Sequence, residues 1–262
     1  MRSPSFNPFL FLLVALLMAT LSACVESATK HVEAGDDYLA RGNIDAAIAE
    51  YSRASELDPT LEIQSRINKA YGKKLDLLVE ASDYSSAIEQ GLKLLASSPT
   101  DVMKEKVADA YIARAWFYKS KRLNPYTLKD LTSAVEMAPG YYRAYYERGR
   151  FYNNQWQHSI ALIDLNKAIA LNPGYAASYN ERAFSYYMNQ KYEKALSEAS
   201  KAIDLDGADA SFYYTRSLIL TSMQKYDESV VDLEKTIKLT LDQGLAEKAA
   251  GDLKALHDRK SK

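Results

Sequence analysis

The sequence predicts an all-α protein built as a tandem array of helix–turn–helix units, and three observations carry that expectation. Prolines that follow apolar helical runs recur at set intervals. Pro59, Pro99, Pro139 and Pro173 are 40, 40 and 34 residues apart, and Gly207 lies another 34 on, in LDG where earlier copies read LDP and LNP. Only 10 glycines and 7 prolines punctuate 262 residues, which suits long helices joined by short turns. Small and aromatic side chains return at a constant phase of the same period, as they do in repeat architectures.

With these prolines at position 32 of a 34-residue unit, the units span 28–61, 68–101, 108–141, 142–175, 176–209 and 210–243. Position 8 reads Gly35, Leu75, Ala115, Gly149, Ala183 and Ser217, and position 20 reads Ala47, Ala87, Thr127, Ala161, Ala195 and Ser229. Position 27 is Ala54, Leu94, Ala134, Ala168, Ala202 and Thr236. Small residues at 8 and 20 let two helices of one unit approach closely. Aromatics at 4 and 11, among them Tyr118, Tyr152 and Tyr186, fill the space between units. Glu62–Ile67 and Val102–Val107 contain neither proline nor glycine, so they are expected to extend the first helices of units 2 and 3. Leu245, Ala249, Leu253 and Leu256 form an apolar stripe, which predicts that 244–262 holds a capping helix and a short tail.

This pattern resembles the tetratricopeptide repeat. Residues 142–175 are the best copy, with Tyr145, Gly149, Tyr152, Ala161, Leu165, Ala168 and Pro173 in the family's positions. The resemblance covers residues 28–243 and implies a right-handed solenoid of about six repeats whose first helices line a concave face. Leu75 in place of the small residue at position 8, and Leu241 in place of the proline at 32, are the main departures.

Two further patterns have the same period. Arg114, Arg148, Arg182 and Arg216 occupy position 7, and Asp130, Asp164, Glu198 and Asp232 occupy position 23 of the same four repeats. Opposite charges that travel together predict struts from the first helix to the second, with bidentate Arg–carboxylate geometry. Positions 2, 5, 9 and 12 face the groove in solenoids of this family. The resemblance therefore implies a partner-binding groove containing Trp116, Arg143, Tyr146, Arg150, Asn153, Asn180, Phe184, Tyr187 and Tyr214. Aromatics and arginine are enriched at interaction hot spots.

The amino-terminal segment reads as an address. Arg2 is followed by the apolar run FLFLLVALLMATL over 9–21, too short to span a bilayer as a helix and laid out like a secretory signal peptide over 1–23. Leu21-Ser22-Ala23-Cys24 resembles the bacterial lipobox, which implies diacylglyceryl attachment at Cys24 and a short tether over 24–27. Val25 after the cysteine resembles cargo sorted to the outer membrane, facing the periplasm.

Catalysis is not expected. Cys24 is the sole cysteine, which leaves no disulfide and no multi-cysteine metal site within one chain. His31, His158 and His257 are scattered, and no phosphate loop or metal-ligand spacing occurs, so no cofactor and no metal are implied. With 33 basic and 34 acidic residues, no global field draws nucleic acid. The reading is a non-enzymatic, membrane-anchored scaffold or adaptor lipoprotein that mediates protein–protein interactions in the bacterial cell envelope. Its partners are proteins or peptides, and no small-molecule substrate is expected. The alternative is a pilotin-like lipoprotein that assists secretin or pilus assembly in the outer membrane.

Overall fold

Each repeat turns at the same place. In the computed structural model, which describes residues 8–260, position 15 has a left-handed backbone in all six repeats: Gly42, Ser82, Arg122, Trp156, Gln190 and Gln224, with φ between 58° and 78°. The next residue donates its N–H to the carbonyl of position 11, from Asn43 to Tyr38 at 2.9 Å through Lys225 to Leu220 at 2.9 Å. This six-to-one bond ends the first helix and starts the second in the manner of a Schellman turn. Five of the six residues are not glycine, and the left-handed region costs an L-residue about 1–2 kcal/mol. Gln224→Gly is accordingly expected to add about 0.5–1 kcal/mol to the unfolding free energy, read as a raised urea midpoint, after allowance for glycine's greater freedom in the unfolded chain; an unchanged or lower midpoint would contradict it.

The described residues form helices α1 (Pro8–Ala40), α2 (Ile44–Leu57), α3 (Gln64–Glu80), α4 (Tyr84–Ser97), α5 (Asp101–Ser120), α6 (Asn124–Met137), α7 (Tyr142–Asn154), α8 (His158–Leu171), α9 (Ala176–Met188), α10 (Tyr192–Leu205), α11 (Ala210–Ser222), α12 (Tyr226–Leu239) and α13 (Gln243–Lys260). The architecture is an all-α tetratricopeptide-type solenoid of paired helices with a terminal helix, and no strand occurs among the described residues. The chain forms two compact units that divide after Arg114, within α5.

In the first unit, α1 packs on α2 and α3 on α4. Position 8 accommodates the side chain of position 24. A Cβ on Gly35 would lie 2.5 and 2.6 Å from the ring of Tyr51, which is fully buried and donates its hydroxyl to Asp36 Oδ1 at 2.7 Å. Burial, followed by the Asp36 hydrogen bond, pushes the Tyr51 hydroxyl up to about 12. In repeat 2 the sizes are exchanged: Leu75 stands at position 8 and Gly91 at position 24, where a Cβ would meet Val107 and come within 3.3 Å of Leu75 Cδ1. The departure at Leu75 is thus offset within its own repeat. His31 is half-buried against Glu50 at 2.5 Å.

Of the two expected helix extensions, one starts late. The extension before repeat 2 starts at Gln64, not Glu62, because Asp58 Oδ1 accepts from the Thr60 N–H at 3.0 Å and its hydroxyl at 2.6 Å, which folds those residues into a turn. The extension before repeat 3 is helical throughout, since α5 begins at Asp101. Helix α1 runs unbroken through an exposed Cys24. Residues 1–7 of the expected signal segment, and 261–262 of the tail, lie outside the described residues. Among those described, no helix is long and apolar enough to cross a membrane.

In the second unit the small positions close the helix pairs. Thr127, Ala161, Ala195 and Ser229 at position 20 are all fully buried. Thr127 and Ser229 place hydroxyls there and satisfy them on backbone carbonyls, Thr127 on Leu123 at 3.1 Å and Ser229 on Ser217 at 2.9 Å. The terminal helix buries Ala249 and Leu256 against Leu233, with Leu253, Tyr214, Tyr226 and Val230 packed alongside. That covers the apolar end that an array of this kind otherwise exposes.

Candidate partner-binding groove

The expected struts set the frame for the groove. Arg148 donates from Nε to Asp164 Oδ2 at 2.7 Å and from Nη2 to Oδ1 at 2.8 Å. Arg216 repeats this on Asp232 at 2.7 and 2.8 Å. Arg182 places Nε and Nη2 on one oxygen of Glu198, at 3.1 and 2.7 Å. Two of these arginines also reach back one repeat, Arg182 to Asn166 Oδ1 at 2.8 Å and Arg216 to Ser200 Oγ at 3.4 Å. Each of the two therefore ties three helices together. Arg114 and Asp130, the remaining expected pair, fall in different units.

At the centre of the groove, position 6 supplies two acids that the sequence reading passed over, Glu147 and Glu181. Glu147 is buried and accepts from the Trp116 indole N–H at 2.9 Å. Arg150 stacks over the Trp116 ring, 4.1 Å from its centroid, and lies 3.5 Å from Glu147. Burial holds the Glu181 carboxyl above the usual carboxylate range, with the Glu147 charge adding to the effect, while Asn153 and Arg150 oppose it. Two acids thus share one guanidinium between stacked aromatic walls. Glu147 and Glu181 stand 34 residues apart, so carrying the period to position 6 is the signal that could have found them.

The structure divides the expected groove residues. Asn153 is buried; its amide donates to the Glu181 carbonyl at 3.0 Å and to Glu181 Oε2 at 2.9 Å, and its Oδ1 accepts from Ser185 Oγ at 2.7 Å. Tyr146 is buried and meets Tyr175 edge-on, with centroids 5.0 Å apart. Tyr214 donates to Asp252 Oδ2 of α13 at 3.0 Å, so the terminal helix occupies that end. Burial, then the Asp252 hydrogen bond, pushes its hydroxyl up to about 12. Arg143 is exposed, and Asn180, Phe184 and Tyr187 are half-buried. Asn180 Oδ1 is shielded from solvent and has no hydrogen-bond partner among the described residues.

His158 borders this region. It is buried, its Nδ1 lies 3.1 Å from Asn153 Oδ1, and Trp156 and Phe184 flank the ring, each with its centroid 5.9 Å away. Burial holds its pKa below the ordinary value. The unfolded chain binds a proton on this ring at about pH 6.5, where the folded chain does not, so stability is lost as the pH falls below that value. The loss grows until the lowered folded pKa is passed. Urea titrations between neutral and mildly acidic pH are expected to show a smaller loss for His158→Gln than for wild type. Comparing the two separates this effect from Glu181, whose raised pKa adds stability as the pH falls.

No group of three or more His, Cys, Asp or Glu side chains among the described residues is arranged to hold a metal ion. The chemistry on offer is stacking, hydrogen bonding and charge.

Two segments match tetratricopeptide-repeat family models, residues 165–197 and residues 210–243. No curated protein sequence matches the chain. Among solved structures, a tetratricopeptide repeat protein from Parabacteroides merdae is 16% identical with a TM-score of 0.53, over 90% of this chain and 89% of that one. YrrB, a TPR protein with an unusual peptide-binding site, is 18% identical with a TM-score of 0.51, over 76% of this chain and 97% of that one. The Cut9–Hcn1 hetero-tetramer of the APC/C is 14% identical with a TM-score of 0.56, over 92% of this chain and 46% of that one. At these identities the likeness is one of fold. The fold is that of tetratricopeptide-repeat proteins, and the two matched segments are tetratricopeptide repeats.

Proposed function

We propose that the chain is a lipid-anchored scaffold of the bacterial cell envelope that holds a protein or peptide partner in the groove of its second unit. The observation that carries the groove is the shielded Asn180 Oδ1, without a hydrogen-bond partner among the described residues, on the helix that also carries half-buried Phe184 and Tyr187. A rotation of the half-buried Asn180 side chain would bring that oxygen to a backbone N–H of a bound segment and supply the donor it lacks, since buried polar groups are otherwise paired. In this reading Asn153, Glu147 and the Trp116–Arg150 stack shape the groove from behind. The anchor rests on LSAC and the exposed Cys24, and Val25 favours the outer membrane, facing the periplasm.

The test is fatty-acid labelling and membrane fractionation of wild type and Cys24→Ala, with cross-linked partners recovered from each and from Asn180→Ala. Label and outer-membrane location that depend on Cys24, with capture that weakens in Asn180→Ala, are expected. An unlabelled, soluble wild type would overturn the anchor. Partners captured equally by Asn180→Ala would overturn the groove.

A further inference from the structure

The turns of repeats 3 to 5 carry an excess of positive charge that the turn of repeat 6, with Lys225 against Asp227 and Glu228, does not share. Residues 119–126, 153–160 and 187–194 carry Lys119, Lys121, Arg122, Lys191 and Lys194 against a single acid, Glu193, in a chain whose net charge is −1. Elsewhere in the unit, arginines are locked to carboxylates, as Arg148, Arg182 and Arg216 are. None of the five turn-edge cations has a carboxylate partner among the described residues. Three lie over aromatic rings instead: Lys119 over Phe151 at 5.7 Å, Lys121 over Phe117 at 5.6 Å and Lys194 over Tyr186 at 5.9 Å.

The same edge exposes large apolar side chains. Trp156 is 75% exposed, Tyr126 57%, Ile160 43% and Leu123 41%. The turns are neighbours, because Asn124 of repeat 3 donates to Gln155 Oε1 of repeat 4 at 3.1 Å, and His158 of repeat 4 meets Phe184 of repeat 5 edge-on. Trp156 is the most telling of them. It takes the left-handed turn position that Gln190 and Gln224 fill in later repeats, and it stays mostly in solvent, so neither the turn nor the core calls for an indole there.

We propose that this edge docks peripherally on a bilayer surface rich in anionic phospholipid. Indole and phenol rings settle at the headgroup level, short aliphatics dip below it, and lysine and arginine meet the phosphates. Aliphatic Leu123 and Ile160 between the cations suit a lipid interface better than a nucleic-acid backbone, which is met by cations and stacking rings. The proposal shares with the preceding section only the presence of a membrane, and its test does not depend on acylation at Cys24.

The full-length chain is mixed with vesicles of phosphatidylethanolamine containing phosphatidylglycerol, or of phosphatidylcholine alone. The difference in emission between wild type and Trp156→Gln reports the surroundings of Trp156, and its dependence on anionic lipid and salt separates docking of this edge from apolar binding through α1. A blue shift on the anionic vesicles, absent on the zwitterionic ones and lost at high salt, is expected. Lys121→Gln and Arg122→Gln should each raise the lipid concentration for half-maximal shift roughly fivefold. Gln190 and Gln224 show that the left-handed position of Arg122 and Trp156 accepts glutamine, and unchanged far-UV circular dichroism checks that all three variants fold. No shift at saturating anionic vesicles, an equal shift on phosphatidylcholine, or a shift produced only by RNA or polyglutamate would overturn the proposal.

Discussion

Leu165→Ala is expected to destabilise the second unit by about 3–4 kcal/mol, read as a lowered urea midpoint of Trp116 fluorescence. Leu165 is fully buried and clusters with Ala161, Ala168 and Tyr146. It fits because position 8 opposite is glycine: a Cβ on Gly149 would lie 2.9 Å from Leu165 Cγ and 3.1 Å from Cδ2. Gly149→Ala alone should cost about 1 kcal/mol, with overpacking outweighing alanine's better helix propensity. The double variant should cost less than the sum of the two, since the new methyl enters the space that Leu165 leaves. Simple additivity would show that the two side chains do not share that space.

Asp164→Ala is the second large effect, with an expected loss of about 2–3 kcal/mol. Asp164 is 4% exposed and takes both arms of Arg148, so its removal leaves a half-buried guanidinium without its partner. Such removals cost about 3–5 kcal/mol for fully buried pairs; the remaining exposure of Arg148, 19%, lets water recover part of that. Exchange of the whole pair, Arg148→Met with Asp164→Leu, should lie close to wild type, because neither charge is then stranded. If the double exchange costs as much as Asp164→Ala, the strut contributes through its charges rather than through the avoidance of an unpaired one. Exposed Lys225–Glu228, at 3.7 Å, is the control, and Glu228→Ala should leave the midpoint within error.

The strut and the close packing were legible in sequence for the same reason. Arg148 and Asp164 meet because positions 7 and 23 face each other in one helix pair, and a period of 34 brings that pair back in repeats 5 and 6. The exchange of Leu75 with Gly91 was harder to see. It preserves the summed size of positions 8 and 24 while breaking each column taken singly, so reading position 8 alone marks a departure where none is felt. The two missing residues at the start of α3 were lost to a side-chain turn at Asp58, a choice local to one loop.

The groove was less legible. Positions 2, 5, 9 and 12 identify residues by direction, and direction does not say what already waits there. Asn153 and Asn180 come from equivalent faces, yet Asn153 is spent on the Glu181 backbone and Ser185 while Asn180 keeps an unpaired oxygen. Tyr214 would face the groove in an unending array, and the terminal helix claims its hydroxyl.

What the sequence by itself determined is whatever repeats: the helix pairs, their turns, the small residues that let them close, and the three arginine struts of the second unit. These follow from contacts within one repeat, and a period registers them. Only the tertiary structure decided which polar and aromatic side chains remain open to a partner, because that depends on ångström-scale distances between helices of different repeats. A hydrogen bond made at 3 Å removes a group from the surface, and the identity of the residue does not tell whether it has been made.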